Sequence, residues 1–252
     1  MMKPIRLGTR GSALALWQTH HVQSLIENLG YQTEVVEIKT EGDLVLDTPL
    51  HMMGGKGVFT KALDVALLNK EIDLAVHSLK DVPTELPLGL CIACVLERED
   101  PRDVVVFRED GAFMEDKNGE GLIATSSPRR LSQWKYRYAK HRNADIRGNV
   151  QTRLNKLENS DWNGAIFAAA GLKRLEMEQH IGAYLDWMIP APGQGAVAVM
   201  VREEDLVNRD LLEELHHEET ALCTQLERDF LNRLNGGCSA PVGAHATIAD
   251  GQ

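Results

Sequence analysis

Apolar positions recur along the first hundred residues with two different periods. "IRLG" (5–8) is a short apolar run of strand character. Behind it, "SALALWQTHHVQSLIENLG" carries Leu14, Trp17, His21, Leu25 and Leu29 at helical spacing, with Ser12 placed to cap its start and Gly30 its end. "TEVVEI" (33–38) is a β-branched strand, "FTKALDVALLNK" an amphipathic helix and "IDLAVHS" (72–78) a second apolar strand. This alternation of strand and helix predicts a mostly parallel sheet with crossover helices.

The rhythm restarts further on. "LIATS" (122–126) is a strand, and a helix starts near Pro128. "DIRGN" leads to a helix near 150–158, and "GAIFAAA" (164–170) is a strand followed by the short helical "GLKRLEM". "PAPGQG", around Pro190 to Gly195, is a turn-rich joint, after which "AVAVMV" (196–201) is a strand able to return to the first sheet. The acidic "EREDPRD" (97–103) is the matching outward crossing. Two crossings between two α/β units make a hinge, with the ligand expected in the cleft between them. "RDLLEELHHEETALCTQLERDFLNRLNGG" then reads as two helices ending at Gly236-Gly237, followed by Cys238 on a turn-rich loop and the strand-like "VGAHATIA". Asp250-Gly251 is a hairpin signal without its second strand, so a third unit is expected to be cut off just after it begins.

Composition narrows the class. Of 252 residues, 43% are hydrophobic and 25% charged, which is ordinary for a globular chain with a sizeable core. Four cysteines make no disulfide framework, no signal peptide opens the chain and no apolar run reaches membrane-spanning length. The expectation is a cytoplasmic protein with reduced thiols, away from membranes. A net charge of −10 disfavours a broad nucleic-acid surface. Against that acidic background Arg129, Arg130, Arg137, Arg142, Arg147 and Arg153 cluster in mid-chain. They read either as solvated helix faces or as an anion pocket.

Three strand-to-helix turns favour the pocket. In "ATSSPRR" (124–130), Ser127 suits an N-cap and Pro128 the first helical position, so free backbone N–H groups stand beside Arg129 and Arg130. "RGNVQTRL" (147–154) offers Arg147 and Arg153, with Asn149 as cap, and "TRGS" (9–12) offers Arg10 and Ser12. The shared chemistry suggests one ligand with several carboxylates. "AVHSLKDVP" (75–83) presents Ser78, Lys80 and Asp81 at the carboxyl end of a strand, where open sheets bind ligands, although Lys80 and Asp81 could also form a merely local ion pair. "GGKG" (54–57) lacks the spacing of a nucleotide-binding loop and reads as a lid carrying Lys56. Cys91 and Cys94 fall in "LCIACVL", a strand whose residues three apart point to opposite faces, so both read as core rather than as a redox pair. Cys223 reads as core on a helix. His216-His217 with Glu218 lacks metal-ligand spacing and reads as surface, and no metal is expected. Cys238 alone is loop-borne, with glycines that let something bulky approach.

These segments together resemble the porphobilinogen deaminase (hydroxymethylbilane synthase) family. "TRGSALALWQ", "GGKGVFTKAL", "DLAVHSLKDVP", "EREDPRD", "TSSPRR", "RGNVQTRL", "AAAGLKRL", "PAPGQGAV", "HHEETAL" and "LNGGCSAPVGAHA" occur in family order from residue 7 to 246. The resemblance implies two hinged α/β domains like those of periplasmic binding proteins, spanning 1–98 with 196–215 and 99–195. A truncated third α+β domain, 216–252, would carry the cofactor cysteine. It implies a dipyrromethane cofactor joined through a thioether to Cys238. Four porphobilinogen molecules would be added head to tail with loss of ammonia, and water would release hydroxymethylbilane. It further implies Asp81 as the catalytic carboxylate and Ser78, Lys80, Thr125, Ser126, Ser127, Arg129 and Arg130 around the cofactor. Arg10, Ser12, Arg147, Arg153, Arg174 and Gln194 would contact substrate. Pro128 replaces the leucine usual before the paired arginines but suits the first turn of a helix. The resemblance also implies a monomer. Rival readings are a hinged small-anion binding protein and an inactive remnant.

Overall fold

The computed structural model describes residues 3–39, 60–234 and 240–249. Its strands form two five-stranded sheets. In the first, β1 (Ile5–Thr9), β2 (Thr33–Glu37), β3 (Leu74–Ser78), β4 (Leu90–Val95) and β10 (Val197–Arg202) lie in the order β2-β1-β3-β10-β4. The parallel β2-β1-β3 core matches the crossover-helix rhythm. The late-returning β10, however, is antiparallel to both β3 and β4, so the sheet is mixed rather than nearly all parallel. It is covered on both faces, which is why "AVAVMV" shows no polar alternation. Val197, Val199 and Val201 pack with Val22 and Ile26 of α1 (Ala13–Asn28). Ala196, Ala198 and Met200 pack with Leu63, Ala66 and Leu67 of α2 (Lys61–Leu68).

The second sheet has the order β7-β6-β8-β5-β9, built from β5 (Asp103–Phe107), β6 (Leu122–Ala124), β7 (Arg142–Ala144), β8 (Gly164–Ala168) and β9 (Ala183–Tyr184). Here β5 is the antiparallel member, against β8 and β9. One face packs on α4 (Val150–Glu158) and α5 (Ala169–Arg174), the other on Trp134 and Tyr138 at α3 (Pro128–Arg137). The strand expected over 164–170 stops at Ala168 because the chain turns there directly into α5.

Both crossings run side by side between the sheets. Glu99 N donates to Gly195 O at 3.1 Å and Arg98 Nε to Gln194 O at 2.8 Å. Two helices follow β10: α6 (Leu206–Glu213) and α7 (Glu218–Arg233). The second clamps the joint. Its buried Glu227 pairs with Arg98 at 2.6 Å and accepts the backbone N–H groups of Gly193 and Ala246, each at 2.8 Å. Arg228 donates to the carbonyls of Val82 and Pro83, both at 2.7 Å.

Four sequence expectations need correction. The α1 stripe is rotated: Gln18, Thr19, Val22 and Ile26 are buried, whereas Trp17 and Leu29 are exposed. The buried polar pair hides the true stripe, since Gln18 is satisfied by Ser78 and Thr19 by the Ala15 carbonyl. Cys91 and Cys94 share a face, because a register shift opposite Val199/Met200 inserts a residue into β4 between them. Burial pushes the Cys94 thiol up to about 12, so a core role stands. His216 and His217 are half-buried rather than surface residues: His216 Nδ1 accepts from Val95 N at 3.3 Å, and His217 caps α7 through Thr220 N. "VGAHATIA" forms no strand over 240–249. It is held instead by bonds such as Ala244 N to Pro190 O at 3.0 Å.

Candidate active site

Each strand-to-helix turn forms as its sequence dictates. Ser12, Ser127 and Asn149 cap α1, α3 and α4, accepting from Ala15 N, Arg130 N and Thr152 N. The tip of β3 passes into a tight 3-10 turn over Leu79–Asp81 that presents Lys80 and Asp81.

Two adjoining cavities result. One, of about 160 Å³, lies between the sheets and is lined by Lys80, Asp81, Ser127, Arg129, Arg130 and Gln194, with Leu231 and Val242 adding apolar wall. The other, of about 70 Å³, is lined by Arg10, Ser12, Gln18, His77, Ser78 and Asp81. Asp81 borders both. Arg153 lies near the same groups: burial and the neighbouring Arg130 lower its pKa to about 10 and the Asp81 charge opposes that fall, with Arg147 also close. Burial likewise lowers Lys80 to about 8, against the opposing pull of Asp81.

The paired arginines are not free surface cations. Both are buried, and both hold the wholly buried Asp103 at the start of β5. Arg129 reaches it at 2.6 Å and also donates to Ile189 O at 2.7 Å. Arg130 reaches it at 2.7 and 3.0 Å and also donates to Ile166 O at 2.9 Å. Burial opposes the charge on Asp103, but Arg130 and Arg129 outweigh it and hold the carboxyl at about 2. Gln194 completes the group. Its amide nitrogen donates to Asp103 at 3.0 Å and Pro101 O at 2.7 Å, and its oxygen faces Lys80 Nζ at 3.5 Å. Two guanidiniums and one ammonium outnumber the carboxylates of Asp81 and the internal Asp103, which leaves excess positive charge at the cavity.

The other expected residues are placed less directly. Thr125 is buried and its hydroxyl accepts from Ser127 N at 3.2 Å. Ser126 is exposed and bonds Ile146 N and Asp145. Arg174 is buried at the joint, donating to Gly195 O at 2.6 Å, with its guanidinium 5.6 Å from the Trp17 ring centre. Lys56 and Cys238 lie outside the described residues. Sequence reasoning missed Asp103 and Glu227. Asp103 had a signal, a lone acid heading the apolar run "DVVVF". Glu227, on a helix rich in charge, had none.

Residues 5–210 match the family model "Porphobilinogen deaminase, dipyromethane cofactor binding domain", and residues 221–252 match "Porphobilinogen deaminase, C-terminal domain". The chain belongs to the porphobilinogen deaminase family. Porphobilinogen deaminase of Syntrophomonas wolfei is 47% identical over 255 residues, covering 100% of this chain and 83% of that protein. The enzyme of Syntrophotalea carbinolica is 47% identical over 250 residues, covering 98% and 79%. Among solved structures, the second substrate-binding domain of a putative amino-acid ABC transporter from Streptococcus pneumoniae superposes with a TM-score of 0.51 at 12% identity, covering 92% of this chain and 95% of that one. That likeness concerns the fold alone: the periplasmic-binding-protein layout of two α/β units. Among the described residues of this porphobilinogen deaminase family member, no helix is long and apolar enough to cross a membrane.

Proposed function

We propose that this chain is a hydroxymethylbilane synthase of tetrapyrrole biosynthesis, condensing four porphobilinogen molecules head to tail with loss of ammonia and releasing the tetrapyrrole by hydrolysis. The observation that carries the assignment of roles is the position of Asp81, on the wall shared by the Lys80–Arg129–Arg130 cavity and the Arg10–Ser12 cavity.

A dipyrromethane with its acetate and propionate groups fits the larger cavity chemically. The guanidiniums of Arg129 and Arg130 and the ammonium of Lys80 match its carboxylates, and Leu231 and Val242 match its ring faces. Ser78, Ser127, Thr125 and Ser126 belong to the same turns. We assign its thioether anchor to Cys238. When bound, the dipyrromethane supplies the free pyrrole carbon on which the first unit is added.

Arg10 and Ser12 bind the incoming porphobilinogen in the smaller cavity. Arg147, Arg153 and Arg174 hold carboxylates of the lengthening chain, and Gln194 sets Lys80 and the arginine pair. The C–N bond of the aminomethyl group breaks, ammonia leaves, and the remaining methylene-pyrrole is cationic. The Asp81 carboxylate stabilises that cation at the pyrrole N–H. Once the new C–C bond has formed, the same carboxylate takes the proton released from the attacked pyrrole carbon. Asp81→Ala abolishes ammonia release from porphobilinogen while the cofactor remains attached. Retained turnover in a fully loaded variant contradicts the role.

The paired sheets and the return of β10 support a division into 1–98 with 196–215, 99–195 and 216–252. We place the protein in the cytoplasm as a monomer. Three described cysteines are free thiols, which suits a reducing compartment.

A further inference from the structure

His77 sits on β3, four residues before Asp81. It is 6% exposed, and its Nε2 has no hydrogen-bond partner among the described residues. A buried imidazole nitrogen left unmatched is unfavourable, and such orphans call for an explanation. His141, whose ring nitrogens are also unmatched, is packed among Phe113, Trp134 and Tyr138. His77 instead lines the smaller cavity with Arg10, Ser12 and Asp81. Burial, reinforced by the nearby Arg10 charge, lowers its pKa to about 4, so the ring is uncharged near neutral pH. A neutral imidazole has one N–H donor. Beside Arg10 a ligand ammonium is repelled and a ligand carboxylate attracted.

We propose that His77 is a substrate-binding residue: its Nε2–H donates a hydrogen bond to a side-chain carboxylate of the incoming porphobilinogen, the same carboxylate that Arg10 neutralises. The inference rests on reading this cavity as the entry site for porphobilinogen. Arg10 supplies the charge and His77 the direction. Together they orient the pyrrole so that its aminomethyl carbon faces Asp81. The bond also satisfies the buried nitrogen only when substrate is present, so His77 favours the occupied state.

The test is steady-state kinetics of the cofactor-loaded enzyme with His77→Leu, His77→Gln and Arg10→Leu, alongside thermal unfolding and intact mass. His77→Leu raises KM for porphobilinogen about tenfold or more, as for loss of a hydrogen bond to a charged group, and moves kcat less. Its stability holds or rises, because an unmatched polar atom has been removed from a buried site. His77→Gln, which can place an amide N–H near the lost Nε2, recovers most of that affinity. An unchanged KM in His77→Leu with a raised KM in Arg10→Leu overturns the His77 assignment alone. Unchanged KM in both overturns the entry-site reading and the His77 role with it. Equal loss of stability in the Leu and Gln variants, with KM unmoved, also overturns the proposal, since it marks a purely structural histidine.

Discussion

The carboxylate of Asp103 accepts from the guanidinium of Arg129 at 2.6 Å with neither side chain more than 5% exposed. Arg130 completes the triad from the other side at 2.7 Å. The arginine pair that faces the cavity is thus fixed from behind by an acid that does not itself line it. Removing one partner of a buried ionic group strands the others. Asp103→Asn is expected to cost about 3–5 kcal/mol in urea unfolding at neutral pH. Because the folded carboxyl sits at about 2, below its ordinary 3.8, this contribution is complete above pH 3.8 and lost as pH falls through about 2. The difference between wild type and variant therefore closes in acid.

Lys80 carries a pH signature of its own. With its pKa lowered to about 8 by burial, it loses its charge as pH rises through that value, and with it part of the cavity's attraction for carboxylates. The kcat/KM profile of the loaded enzyme is expected to fall on the alkaline side near pH 8. Lys80→Gln lowers kcat/KM at neutral pH and flattens that limb. An alkaline limb of full depth in the variant assigns it to another group.

The joint between the sheets depends on Gly195. Its φ is +91°, and a β-carbon there would lie 2.3 Å from the Glu99 carbonyl oxygen, which belongs to backbone and cannot swing aside. Gly195→Ala is expected to cost more than the roughly 1–2 kcal/mol of a left-handed residue alone, read as a lowered Tm, and to reduce turnover because both crossings must part.

Glu227 ties three segments together: Arg98 of the outward crossing, Gly193 of the return crossing and Ala246 of the final segment. Glu227→Ala leaves two backbone N–H groups unmatched and a largely buried guanidinium without its counter-charge, held only by Gln194 O among the described residues. The expected outcomes are a loss of about 3–5 kcal/mol and faster proteolytic cleavage within residues 240–249.

Much of this was legible in the sequence, for identifiable reasons. Ser12, Ser127 and Asn149 cap their helices because capping is a local interaction, readable from a few adjacent residues. The strands β1 to β4, β6, β8 and β10 were legible from their apolar or β-branched runs, whereas β7 and β9, three and two residues long, carry no such run and β5 was passed over behind the acidic crossing. What escaped depends on contacts between distant segments. The buried stripe of α1 contains Gln18, polar yet buried because Ser78 lies sixty residues away in sequence and beside it in space. The expected stripe of Leu14 and Trp17 is apolar for a different reason: it turns toward α5, where Gly171 and Arg174 approach. The antiparallel insertion of β10 was open in sequence because a returning strand can enter a sheet in either direction. Arg129 and Arg130 were recognised as an anion site, but the acid that holds them stands 26 residues before Arg129, and its place at the head of an apolar run marks it as buried without naming its partners.

The central claim is that this chain works as a porphobilinogen deaminase primed on Cys238. Intact mass of the purified protein beside a Cys238→Ser control tests it most directly. The account predicts an added mass of two linked pyrrole units in the wild type, absent from the control. A bare polypeptide mass in protein that nevertheless converts porphobilinogen, or an unchanged adduct in Cys238→Ser, would contradict it.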